Sequence, residues 1–90
     1  MVLTERPVAN SAGHHALLFL TIETRPCAPV LRALRAVEHV GTVWSLSGAI
    51  DAVAEVRVDD PADLSVLTDR IAALDGIGMV TSQIVLQQKG

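Results

Sequence analysis

The chain has 90 residues, half of them apolar, carries a formal charge of -3, and contains two aromatic side chains, Phe19 and Trp44. A chain of that length makes one domain with a small core, and its charge excludes the basic footprint that nucleic-acid phosphates require. Cys27 is the single cysteine, which excludes an intramolecular disulfide, a CxxC pair and a thiolate zinc cage.

Residues 1–14, with Pro7, Asn10, Ser11 and Gly13 and no sustained periodicity, read as a flexible arm before a single domain over 15–88. The arm lacks the apolar centre of a secretion signal, and no apolar run approaches the roughly 20 residues of a membrane span. The expected location is the cytoplasm. ALLFLTIET, residues 16–24, is rich in strand formers and stopped by Arg25-Pro26, a pattern that predicts a strand buried on both faces. The period then changes: over residues 26–40, Val30, Leu34 and Val37 recur at helical spacing with Leu31 beside them and Arg32, Arg35 and Glu38 opposite. Pro29 suits the first turn of that helix.

VGTVWSLS and IDAVAEVRV predict two strands joined at Ser47-Gly48, because glycine takes positive φ without steric conflict. In the second of these, Ile50, Ala52, Ala54, Val56 and Val58 alternate with Asp51, Val53, Glu55 and Arg57, giving one dry face and one mixed face. DDPADLSVLTDRIAALDG predicts a helix with Asp60 as N-cap, Pro61 at its first position, Asp63 at the positive end of the dipole, a stripe of Leu64, Leu67, Ile71 and Leu74, and Gly76 beyond its end. IGMVTSQIVLQ closes the chain as a strand.

The order βαββαβ predicts an α+β ferredoxin-like sandwich, a four-stranded antiparallel sheet with both helices on one face. Its uncovered face is expected to present Leu17, Phe19, Val43, Val53 and Val85 beside Thr21, Glu55 and Arg57. A surface that apolar on so small a chain marks an interface. The expectation is a homodimer packed sheet to sheet and assembling into higher oligomers.

Catalytic chemistry is scarce. Ser45 and Ser47 have no histidine nearby, and His39 is expected where the first helix ends, with its ring at the carbonyl end of the dipole. His14 and His15, adjacent in the chain, point apart and read as arm residues without a metal. Cys27 has no base or second thiol, and Gly41, Gly48, Gly76 and Gly78 follow no phosphate-binding spacing. No enzyme activity, metal or cofactor is expected. The feature left over is LSGAID, residues 46–51, where a turn delivers a lone carboxylate, Asp51, to an apolar strand. Either it is solvated beside the turn or a cation sits against it.

The V-x-x-V-W-S-L-S-G-x-x-D-A-V-A-E-V hairpin, the D-x-P-A-D-L helix start and the L-D-G-I-x-x-x-x-S-x-I-V-L close together resemble the ligand-binding (RAM) domain of the Lrp/AsnC family of transcriptional regulators, over residues 15–87. The resemblance implies a site for a free amino acid or similar zwitterion at a contact between dimers, with Asp51 as the anion for the ammonium group. Gly48, Ala49 and Ile50 would offer backbone N–H groups to the carboxylate, and Ser82 a hydroxyl. The chain departs from the family's pattern at Ala49, where a second acidic residue is common, and at Val80, where threonine is common. The family's helix-turn-helix domain does not fit in the first fifteen residues, so the expected role is an amino-acid-sensing module acting on transcription indirectly, through partners or full-length paralogues. Two rival readings are a purely structural oligomerisation domain with a vestigial pocket and a dimeric α/β-barrel monooxygenase, for which His39, Trp44 and Ser45 are the candidate residues.

Overall fold

Alternation in the first strand sets the architecture. In the computed structural model, which describes residues 13–86, β1 (His14–Ile22) buries Ala16, Leu18, Leu20 and Ile22, as a strand covered on one side must. Burial on both faces was the expectation. Instead Leu17, Phe19 and Thr21 are half-buried, because among the described residues no layer covers their side. The expected arm lies outside the described residues up to residue 12, while His14 and His15 already belong to β1.

After β1 come α1 (Ala28–Arg35), β2 (Val40–Ser45), β3 (Ala52–Val58), α2 (Pro61–Ala72) and β4 (Ile77–Ile84). The sheet runs β2-β3-β1-β4 with every neighbouring pair antiparallel. Val30 and Leu34 from α1 and Leu64, Leu67 and Ile71 from α2 join the inward residues of β1 and β3 in one core. Both helices therefore lie on one face of the sheet, as the ferredoxin-like reading requires. Each fully buried leucine or isoleucine there, such as Leu18 or Ile71, contributes about 1.5–3 kcal/mol.

α2 begins as its sequence dictates: Asp60, in extended backbone, accepts the Ala62 N–H at 2.9 Å, and Pro61 follows. α1 is shorter than its periodicity. Past Arg35 the chain tightens, with the Val37 N–H donating to the Leu34 carbonyl and the Val40 N–H to that of Val37. His39 therefore does not cap the helix. It is a turn residue at φ +76°, its ring 4.0 Å from Glu38. The second helix-to-strand link repeats this geometry, Leu74 N–H to Ile71 and Ile77 N–H to Leu74, with Gly76 at φ +88°.

The central hairpin is wider than a two-residue turn. β2 ends at Ser45 and β3 begins at Ala52. The intervening loop is closed by the Leu46 N–H donating to the Asp51 carbonyl at 2.9 Å, and Gly48 sits at φ +141°, where a side chain is disfavoured.

Candidate ligand-binding site

Antiparallel pairing brings the end of β1 beside the start of β3, and Asp51 stands at that junction. Its N–H donates to the Leu20 carbonyl, continuing the ladder by one bond. One carboxylate oxygen then accepts the Ile22 N–H at 2.7 Å, standing in for a ladder carbonyl where the loop turns away. The other faces the Arg25 guanidinium at 3.4 Å. Asp51 is thus not simply solvated: its side chain is 22% exposed, with Arg25 against it at 62%. Arg25 is itself steadied by donating to the Ile22 and Thr24 carbonyls at 2.9 and 3.0 Å. A pair this open contributes little to stability, yet it sets a fixed anion beside a fixed cation. The cation was absent from the sequence reading, where Arg25 served only to stop a strand. The pairing of the first and third strands was the signal that could have found it, since residues leaving one meet residues entering the other.

Of the turn residues, Gly48 and Ala49 are exposed and Ile50 is half-buried. Among the described residues, the N–H groups of 47–50 donate to no backbone carbonyl, so they are open to an acceptor from outside. Ser82 does not join them. It pairs with Leu18 on the far side of β1 and lines a shallow groove against α2 with Pro61, Leu64, Ser65, Thr68 and Asp69. Within one chain, Ser82 and Asp51 are separate features.

The open face of the sheet carries a transverse row: Trp44 of β2 opposite Val53 of β3, Val53 opposite Phe19 of β1, Phe19 opposite Thr81 of β4. Its neighbours shield Val53 to 8% exposure, whereas Trp44 is 45% exposed. Leu17 and Val85 extend this surface, and Val85 is tied to β1 through its N–H and the His15 carbonyl. Val43, expected here, lies on the other side: it pairs with Ala54 and packs against the core. The register shift between Val40 and Val43 turns the strand over, and Trp44 takes the outward place. His15, read as an arm residue, faces the same surface and meets Glu55 at 2.6 Å, with Arg57 3.9 Å from that carboxylate.

Elsewhere the chemistry is sparse. Cys27 precedes α1 and packs half-buried against the core, and Trp44 and Ser45, adjacent in β2, point to opposite faces. Among the described residues no three histidine, cysteine or acidic side chains converge to hold a metal, and no helix is long and apolar enough to cross a membrane.

The fold is that of a small α+β domain of the ferredoxin-like class, with the Asp51 carboxylate on a loop at the sheet's end. The sequence matches the Lrp/AsnC ligand binding domain over residues 15–89, and the chain belongs to that family. No curated protein matches it. Among solved structures, FFRP-DM1 is similar with a TM-score of 0.74 at 22% identity, covering 81% of this chain and 99% of its own. An AsnC family transcriptional regulator from Agrobacterium tumefaciens gives 0.78 at 19% identity, over 98% of this chain and 60% of that one. The feast or famine regulatory protein from M. tuberculosis, complexed with L-methionine, gives 0.70 at 26% identity, over 83% and 51%. The last two chains are longer proteins in which this domain is one part.

Proposed function

We propose that this domain is a non-enzymatic sensor of a free amino acid, which binds at the 46–51 loop where subunits meet and shifts the assembly toward the form with the better pocket. The observation that carries the reading is the Asp51 carboxylate, held by the Ile22 amide at 2.7 Å at the mouth of a loop whose own N–H groups are open. An ammonium group takes a fixed carboxylate as partner, and the ligand's own carboxylate takes a hydrogen-bond donor beside it, whether amide or cation. Methionine in the M. tuberculosis relative supports an amino acid as the ligand class. The row of Trp44, Val53 and Phe19 supports a homodimer packed sheet to sheet, with further dimers meeting at the loops. The charge of -3 gives no phosphate footprint, so the effect on transcription is indirect, through full-length Lrp/AsnC paralogues in the cytoplasm.

One observation favours a rival, a purely structural oligomerisation domain: Asp51 already has two partners within the chain. Thermal shift against the twenty amino acids separates the two, because a ligand at about 100 times its dissociation constant adds roughly 2.7 kcal/mol. Asp51→Asn then tests the site. It keeps an acceptor for the Ile22 N–H but removes the charge, so calorimetry should show affinity falling about tenfold or more with the dimer intact. Unchanged affinity rejects the assignment.

A further inference from the structure

We infer that Arg25 is the carboxylate-recognising residue of this site, so that Asp51 and Arg25 together select a zwitterion against a simple amine or a simple acid. The inference rests on the amino-acid reading above and deepens it. An α-amino acid carries its ammonium and carboxylate groups on the same carbon atom, so whatever grips the carboxylate must lie immediately beside the anion that grips the ammonium. Arg25 meets that requirement: its guanidinium lies 3.4 Å from the outer oxygen of Asp51.

The hydrogen-bond inventory of the two side chains leaves room for a guest. A carboxylate offers about four acceptor positions, and among the described residues two are used, by the Ile22 N–H and by Arg25. A guanidinium has five N–H donors. One of its terminal nitrogens binds the Ile22 and Thr24 carbonyls and the other binds Asp51, while the side chain remains 62% exposed. A ligand carboxylate can dock on the remaining donors without dislodging the arginine. The bonds to Ile22 and Thr24 pre-orient the group, which lowers the entropy lost on binding. The 47–50 amides are the competing carboxylate site. They are neutral and belong to an exposed loop, whereas Arg25 brings a full charge and a planar fork.

The test uses the whole chain and the L-amino acid of the standard twenty that gives the largest thermal shift, together with its α-amide, which keeps the ammonium and loses the carboxylate charge. By calorimetry, wild type should bind the acid about tenfold or more tightly than the amide. In Arg25→Gln that ratio should collapse toward one, and Arg25→Lys should retain part of it. An unchanged ratio in Arg25→Gln assigns the carboxylate to the loop amides and overturns the role of Arg25 while leaving the sensing function standing. If no amino acid shifts wild type, sensing itself fails and this inference with it. A circular-dichroism melt of each variant shows whether the fold is retained, and the wild-type acid-to-amide comparison needs no substitution. Equal binding of the two by wild type also overturns the inference.

Discussion

Gly76→Ala tests the turn that aligns the site with the sheet. Gly76 adopts φ +88°, where a residue with a Cβ loses about 1–2 kcal/mol. The added methyl group would also meet Thr24 Oγ1 at 2.5 Å and Val30 Cγ2 at 2.8 Å. Val30 is a core residue, so it has little room to retreat, and overfilling of this kind costs about 1–3 kcal/mol. The expected loss is about 2–5 kcal/mol, and at about 4–8 °C per kcal/mol for a domain this size the melting temperature should drop by about 8 °C or more. His39→Gly is the mirror experiment: it relieves φ +76° at the matching turn and should stabilise by about 1 kcal/mol. Both are measured by urea unfolding followed by circular dichroism at one fixed protein concentration, since association shifts apparent stability. The Gly76 carbonyl accepts the Glu23 N–H at 2.7 Å, two residues before Arg25, so the proposed amino-acid binding should also be weaker in any folded Gly76→Ala protein. A Gly76→Ala protein within 0.5 kcal/mol of wild type, or a His39→Gly protein less stable than wild type, would refute the reasoning.

Phe19→Glu sets a charge between Val53 and Thr81 on the open face; sedimentation should show monomers with the circular-dichroism spectrum of the fold retained, and an unchanged dimer would move the interface off this face. Asp60→Ala removes the acceptor of the Ala62 N–H and should lower stability by about 1 kcal/mol in denaturant titrations. Asp60→Asn should recover most of that loss; if both variants unfold like wild type, the cap contributes nothing.

The order of elements and the core were legible because alternation and helical spacing are local signals. Ala52, Ala54, Val56 and Val58, and Leu64, Leu67 and Ile71, are buried as their spacing predicts. Facing was misread where a strand gains a residue. Along β2 the partners advance from Val40 with Val56 to Val43 with Ala54, three residues against two. β4 does the same against β1, from Ile77 with Ile22 to Val80 with Leu20. Simple alternation from Val40 gives the wrong face for Val43, which pairs inward with Ala54; Ser82 entered through the family resemblance and, within one chain, stands on the far side of β1 from Asp51. The signal was present as a glycine after the first residue of each strand, in Val40-Gly41-Thr42-Val43 and Ile77-Gly78-Met79-Val80, since glycine inside a strand often marks a bulge. Arg25 was harder to find, because its partner is 26 positions away and only the strand pairing unites them.

The double attachment of Asp51 joins the site to the fold. Where the 46–51 loop turns away from β1, the Asp51 carboxylate supplies the acceptor for the Ile22 N–H at 2.7 Å and is thereby fixed in direction. Fixing one oxygen leaves the other to face outward, where Arg25 meets it. A carboxylate anchored only by solvent would have to lose side-chain freedom on every binding event, whereas this one has already lost it during folding. The anchoring also bears on how the proposed site, with a single acid, would serve. Ala49 provides no second carboxylate and Val80 is turned into the core, so in the proposed site recognition would fall to an ammonium partner held by the backbone and a guanidinium held by two carbonyls. Both belong to the junction between β1 and β3, the two central strands of the sheet, so the groups available to a ligand are positioned by the best-buried part of the molecule even though the loop above them is exposed.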